Sequence, residues 1–256
     1  MLHFSQLGEG PPLIILHGLF GSGRNWTTIA RALSTEFTTF SLDLRNHGDS
    51  PSNPAHSLAD LTGDLTDWMQ EQALGRSSIL GHSMGGLTAM DFALKFPDKV
   101  DSLVIVDVAP RAYGHRHERE FNALRADISK CRTRSEVDSV MAQFLDDPVI
   151  RQFLQMNLIH AESGFRWKIP VEILAKANFL DGFADHAGEQ FTKPALFIIG
   201  GLSDYVAPED HATIQTFFPN AQIVTLPDSG HWPHFSHKKV FLEYVQAFFR
   251  RNKHTT

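Results

Sequence analysis

The sequence predicts an α/β protein with a mostly parallel central sheet flanked by helices and a helical cap inserted in its second half. Three observations carry this expectation. Short apolar runs alternate with stretches of helical periodicity, the pattern of parallel strands joined by covering helices. Gly81-His82-Ser83-Met84-Gly85 sits between such a run and a helical stretch, where a strand turns sharply into a helix. The rhythm then breaks once, over residues 111–189, where no convincing strand is read and helical patterns and loops alternate. An insertion of that size between two sheet strands must lie outside the core, over the strand ends. The whole chain, 1–256, reads as one domain with 111–189 as its inserted cap subdomain.

Taken in order, the strand candidates are Leu13 to Leu16, Thr39 to Asp43, Ser77 to Leu80, Leu103 to Asp107, Ala195 to Ile199 and Gln222 to Leu226. Among the helices, one starts at Ser57 with Asp60 three residues on, a capping-box pairing, and sets Leu58, Leu61, Leu65, Trp68 and Met69 on one face. A second runs from Met84 to about Phe96. The last carries Val240, Phe241, Tyr244, Val245, Phe248 and Phe249 as an apolar stripe and ends in Arg250 and Arg251, cations suited to a helix carboxyl terminus.

Composition narrows the function. A formal net charge of −6 argues against nucleic acid as a partner. No apolar run approaches the ~20 residues that span a bilayer, and Met1 to Gln6 lack the basic start and apolar core of a signal peptide, so a cytoplasmic protein is the expectation. The single cysteine, Cys131, reads as an ordinary free thiol. No glycine-rich phosphate-binding pattern is present, so no cofactor is indicated. His115 with His117, and His231, His234 and His237 spaced by three around Pro233, lack the cysteine or carboxylate context of a zinc site, and no metal is expected.

Ser83 carries the chemistry. At a strand-to-helix turn its hydroxyl is exposed at the carboxyl edge of the sheet, and the first amides of the next helix point at whatever it attacks. Its flanking glycines leave room that a Cβ would fill. A serine needs a base, and of 14 histidines His231 is placed best, in Asp228-Ser229-Gly230-His231-Trp232 after the last strand candidate. His82 adjoins the nucleophile but points away from Oγ, which suits packing or a supporting hydrogen bond. Two carboxylates could orient His231: Asp204, after the run Phe197-Ile198-Ile199, and Asp107, at the end of the preceding strand. Both fit the order Ser, Asp, His, and spacing alone separates neither. Two oxyanion donors are expected: the Met84 amide, and the Leu19 amide in His17-Gly18-Leu19-Phe20-Gly21, with Phe20 as the alternative.

These residues together resemble the α/β-hydrolase superfamily over nearly the whole chain. The segments His17 to Ser22, Asp43-Leu44-Arg45-Asn46-His47-Gly48-Asp49-Ser50, Gly81 to Gly86, Asp107-Val108-Ala109-Pro110 and Gly230-His231-Trp232 are similar to the YbfF-type esterases and the mitochondrial abhydrolase-domain-11 proteins. The resemblance implies hydrolysis of carboxylic esters and acyl thioesters, with a link to acyl-coenzyme A, and puts the cap between strands six and seven. It implies that the acid can come from the Asp-x-Ala-Pro motif, which favours Asp107, although this chain keeps an aspartate at both places. The expected reaction is cleavage of a small-molecule ester or thioester of short to medium acyl chain through an acyl-enzyme. Carbon–carbon hydrolysis or perhydrolysis on the same residues, and a pocket that binds without turnover, are the alternatives. Dehalogenase and epoxide hydrolase chemistry is disfavoured, because those enzymes use an aspartate where Ser83 stands.

Two features of the cap admit more than one reading. Between Arg111 and Arg134 seven basic residues face three acids, a solvated, internally paired face on the plain reading and an attractor of an anionic leaving group on the sharper one. Phe121, Phe144, Phe153, Phe165 and Trp167 are expected mostly to hold the cap to the core, with some lining an acyl pocket. The sequence leaves acyl chain length and oligomeric state open.

Overall fold

A computed structural model describes the whole chain except residues 115, 163, 178–182, 184–185, 187 and 253–256. Seven strands form one sheet: β1 (Phe4–Leu7), β2 (Pro12–Leu16), β3 (Thr38–Leu42), β4 (Ser77–His82), β5 (Val100–Val106), then β8 (Ala195–Gly200) and β9 (Ala221–Leu226). Their order is β1-β3-β2-β4-β5-β8-β9, and only β1 runs antiparallel, pairing with the outer edge of β3. From β2 the chain steps outward to β3, then crosses back to place β4 on the other side of β2. This reversal opens a crevice at the carboxyl ends of β2 and β4, where ligands bind in open α/β sheets.

Helices cover both faces. On one side pack α2 (Leu58–Glu71), α3 (Met84–Lys95) and α8 (Asp210–Phe217), against Ile14, Leu16, Ile79, Leu103 and Ile105. On the other pack α1 (Thr27–Leu33) and α10 (Lys238–Asn252), against Leu13, Ile15, Leu80, Val104 and Val106. Adjacent strand residues thus enter opposite cores, which is why the central strands read as unbroken apolar runs. The capping box at the start of α2 is present: Ser57 Oγ accepts from the Asp60 amide, and Asp60 accepts from the Ser57 amide. On α10, Phe241, Val245, Phe248 and Phe249 are buried, whereas Val240 and Tyr244 sit on the solvent side of the stripe.

Between β5 and β8 lie α4 (Glu118–Arg125), α5 (Arg134–Met141), α6 (Pro148–Leu154), the hairpin β6 (Leu158–Ala161) with β7 (Gly164–Trp167), and α7 (Val171–Ala175). One expectation needs correcting here. The insertion is not wholly helical, because four-residue strands carrying Ile159, His160 and Arg166 show no clean alternation in sequence. Its place, between the strand that leads to the Asp-x-Ala-Pro motif at Asp107 and the strand Ala195–Gly200, is the expected one. The hairpin is pressed against the stretch before α5: a Cβ on Gly164 (φ +148°) would lie 2.3 Å from the Ser129 carbonyl oxygen. No described helix is long and apolar enough to cross a membrane.

Candidate active site

Because β2, β4, β5, β8 and β9 are parallel, the loops that follow them share one edge. There the chain presents Leu19 and Phe20, Ser83, Asp107, Tyr205 and His231. With the single exception of Asp107, these residues line a cavity of about 270 Å³, to which the insertion adds Arg116, His117, Glu120, Ile150 and Phe153.

Ser83 caps α3 with φ 50° and ψ −118°, a backbone region an L-residue occupies only when its surroundings force it. The forcing is visible. A Cβ on Gly81 would meet the Gly85 carbonyl oxygen at 2.3 Å, and one on Gly85 would meet the Leu16 oxygen at 2.5 Å, so strand and helix approach only through glycine. The Ser83 amide is tied to the Val106 carbonyl at 3.1 Å. Phe20, Asp107 and His117 also take positive φ, so four of the six described non-glycine residues in that region lie at or beside this cavity, Asn46 and Ala73 being the others.

Asp107 is buried, and its carboxylate accepts three hydrogen bonds: from the Gly200 amide at 2.8 Å, Ser203 Oγ at 2.5 Å and His231 Nδ1 at 2.7 Å. With its Nδ1–H donated to Asp107, the neutral His231 ring leaves Nε2 free to accept a proton. Burial pulls His231 below the ordinary histidine range, partly opposed by the Asp107 hydrogen bond and charge. Asp204 stands elsewhere: its side chain is 79% exposed and paired with Arg116 at the cavity rim. The described geometry therefore joins His231 to Asp107 and not to Asp204.

The loop after β2 is braced by two histidines. His17 bonds the Gly18 carbonyl through Nδ1 at 2.8 Å and accepts the Leu44 amide on Nε2 at 3.0 Å. His47 Nδ1 bonds the Arg45 carbonyl, and Nε2 accepts the Phe20 amide at 3.1 Å. Burial holds both imidazoles below the ordinary range, which keeps them neutral and able to accept. Since the Phe20 amide is committed to His47, Leu19 is the better placed of the two candidate donors. Gly18 presses against the nucleophile, where a Cβ would lie 3.2 Å from that of Ser83. Met84 opens α3, so its amide belongs to the first helical turn, whose N–H groups lack helical partners.

His82 donates from Nε2 to the His231 carbonyl at 2.8 Å, so the residue before the serine fixes the loop that carries the histidine. His234 stacks on Trp26 at 4.1 Å and is pushed down to about 3 by burial. His117 bonds the Tyr205 hydroxyl at 3.0 Å, while its sequence neighbour His115 lies outside the described residues. Of the insertion's aromatics, Phe153 lines the cavity, Phe121 and Phe165 are buried, Trp167 is half-buried, and Phe144 faces solvent. Sequence reasoning missed His47, Ser203, His117 and Tyr205. His47 stood within a quoted segment, but nothing in its spacing assigned it to the Phe20 amide.

Four of the six arginines in the basic stretch meet acids on other elements. Arg111 pairs with Asp210, Arg116 with Asp204, Arg119 with Asp146 and Arg125 with Glu172. His3, Asp43 and Asp49 bring ligand atoms within 4.8 Å of one another, but Asp49 is already paired with Lys168 at 2.5 Å.

A model of the alpha/beta hydrolase fold matches residues 11–238. The mouse sn-1-specific diacylglycerol lipase ABHD11 is 35% identical over 93% of this chain and 80% of its own length. Esterase YbfF of Escherichia coli is 31% identical over 93% of this chain and 92% of its own. A solved structure of a marine microorganism esterase superposes with a TM-score of 0.91 at 38% identity, over 96% of this chain and 98% of that one. The chain therefore belongs to the α/β-hydrolase family, in the branch that includes esterase YbfF and the ABHD11 proteins.

Proposed function

We propose that the protein is a serine hydrolase of carboxylic esters with small acyl groups. The observation that carries this reading is the 2.7 Å contact between His231 Nδ1 and Asp107 beside a strained Ser83 on the same cavity. Ser83 Oγ attacks the ester carbonyl while His231 Nε2 takes its proton. Asp107 holds the imidazole in the tautomer this requires and stabilises the imidazolium that forms. The amides of Leu19 and Met84 receive the oxyanion, each contributing about 3 kcal/mol of transition-state stabilisation. The imidazolium then protonates the departing alcohol, and water activated by His231 releases the acid from the acyl-enzyme.

The relatives named esterase and diacylglycerol lipase support ester substrates. The cavity of about 270 Å³ falls at the small end of ligand pockets and supports a short acyl or alcohol portion. Thioesters suit the same residues, since the attack is on the same kind of carbonyl carbon.

The test is hydrolysis of a p-nitrophenyl acyl series by wild type and Ser83→Ala, with a fluorophosphonate to label the nucleophile. Activity is expected to peak at short chains, to vanish in the variant, and to be blocked by label on Ser83. Labelling without ester turnover would shift the substrate to another acyl compound. A wild type that neither turns over nor takes the label would leave a binding role.

A further inference from the structure

The ring of Tyr205 lies flat against the imidazole of His231, with centroids 3.7 Å apart and planes inclined by 15°. The guanidinium of Arg116 stands 4.4 Å from the centroid of the same ring. Two groups cannot share one ring face at these separations, so Arg116 covers the face that His231 leaves open. Both ends of the tyrosine are also held. Its hydroxyl meets His117 Nε2 at 3.0 Å, and its carbonyl accepts from the Tyr113 hydroxyl at 2.8 Å and from Arg111 at 3.2 Å. Nothing in the reaction outlined above uses this residue.

A flat aromatic ring beside an imidazole does two things. It blocks the rotation that would swing Nε2 away from the serine, and its negative face attracts a cation. His231 becomes a cation only once Ser83 has surrendered its proton. An attraction that grows with that charge is stronger in the transition state than in the ground state, and so lowers the barrier. The guanidinium behind the ring would oppose a second cation, but Asp204 is paired with it and offsets its charge.

Resting on the Ser83–His231–Asp107 reading, we propose that Tyr205 is a positioning residue that fixes the plane of the His231 imidazole and stabilises its protonated form. The arrangement also ties the base to the insertion, since Arg116 and His117 both belong to that segment.

The test compares Tyr205→Phe, which keeps the ring and loses the hydroxyl, with Tyr205→Leu, which loses both. Tyr205→Met fills the space without a ring and serves if the leucine variant does not fold. The groups facing His231 are Asp107 from the end of β5, His82 from the end of β4, His234 from α9 (Pro233–Ser236), and Arg116 and His117 from the insertion. These are unchanged in every variant. The ringless variants are expected to lose kcat on a p-nitrophenyl ester about thirtyfold, the size of a desolvated cation–π contact. The acid limb of their kcat/KM profile is expected at lower pH, while Tyr205→Phe keeps both the rate and the limb of the wild type.

Ringless variants with wild-type kcat and an unmoved acid limb overturn the inference. So does a phenylalanine variant as impaired as leucine, which would assign the effect to the hydroxyl. An inert wild type with Ser83 unlabelled would overturn the triad reading, and this inference with it.

Discussion

At the scale of single residues, the choice between two aspartates decides how the site works. Asp107 accepts from His231, Ser203 and Gly200 in a buried setting, whereas Asp204 is itself exposed and pairs with Arg116. Asp107→Asn is expected to lower kcat by about 10⁴-fold, because an amide no longer fixes the required tautomer. Asp204→Asn breaks an exposed pair and is expected to stay within about threefold. Steady-state kinetics of the two variants on one ester check this, and the reverse ranking would reject the assignment. The acidity of His231 sets a second expectation. Burial lowers its pKa below 6.5, and protonation removes the base, so kcat/KM is expected to be full above that lowered value and lost as pH falls through it. An acid limb at or above 6.5 would contradict a buried, neutral base. Sequence spacing could not rank the aspartates, since both follow sheet strands. Only the resemblance at Asp-x-Ala-Pro leaned to Asp107; what separates the two in the structure is a carboxylate-to-ring distance, which spacing does not encode.

At the scale of elements, the strand-to-helix turn at Ser83 is the part most legible in sequence. Gly81 and Gly85 are required by contact with backbone, and backbone cannot yield as a flexible side chain can. Gly85→Ala is expected to cost about 1–3 kcal/mol through overpacking, lowering Tm by several degrees, and to reduce kcat by about a hundredfold as Ser83 shifts. Gly63 is the contrasting case. It lies exposed within α2 with open space where a Cβ would go, so Gly63→Ala is expected to stabilise by roughly 0.5–1 kcal/mol and leave kcat unchanged. Thermal unfolding of the pair, with opposite signs, checks both. The parallel strands and α2 were legible for the same reason: burial on two faces gives unbroken apolar runs, and burial on one face of a helix gives a period of 3.6. The edge strand β1 and the hairpin β6–β7 were not. Each is four residues long and largely set by what it pairs with, so its sequence carries little alternation.

For the molecule as a whole, the parallel run of β2, β3, β4, β5, β8 and β9 sets the loops that follow them at one edge, and the insertion lies over part of it. That broad arrangement follows from the order of apolar runs and the one break in them. The electrostatics of the insertion were not legible, because the acids that meet its arginines come from distant positions such as Asp204, Asp210 and Glu172. With those pairs formed, the stretch carries much less free charge than its composition suggests. Raising the ionic strength is therefore expected to change KM for an acyl-CoA and for a neutral ester by similar factors. A much larger rise for the acyl-CoA would restore the reading of a basic surface that captures an anionic leaving group.

The side-chain amide of Asn157 donates to the carbonyl of Phe20 at 2.8 Å, across 137 residues of sequence. The loop proposed to receive the oxyanion is thus tied down by an atom from the insertion, and the two cannot be exchanged as separate parts. A chimera that takes its insertion from another α/β hydrolase inherits a fitted pocket only if the donor segment brings an equivalent amide to that carbonyl. Without one, the graft would fold over a loop free to relax, and altered selectivity would arrive together with lost rate.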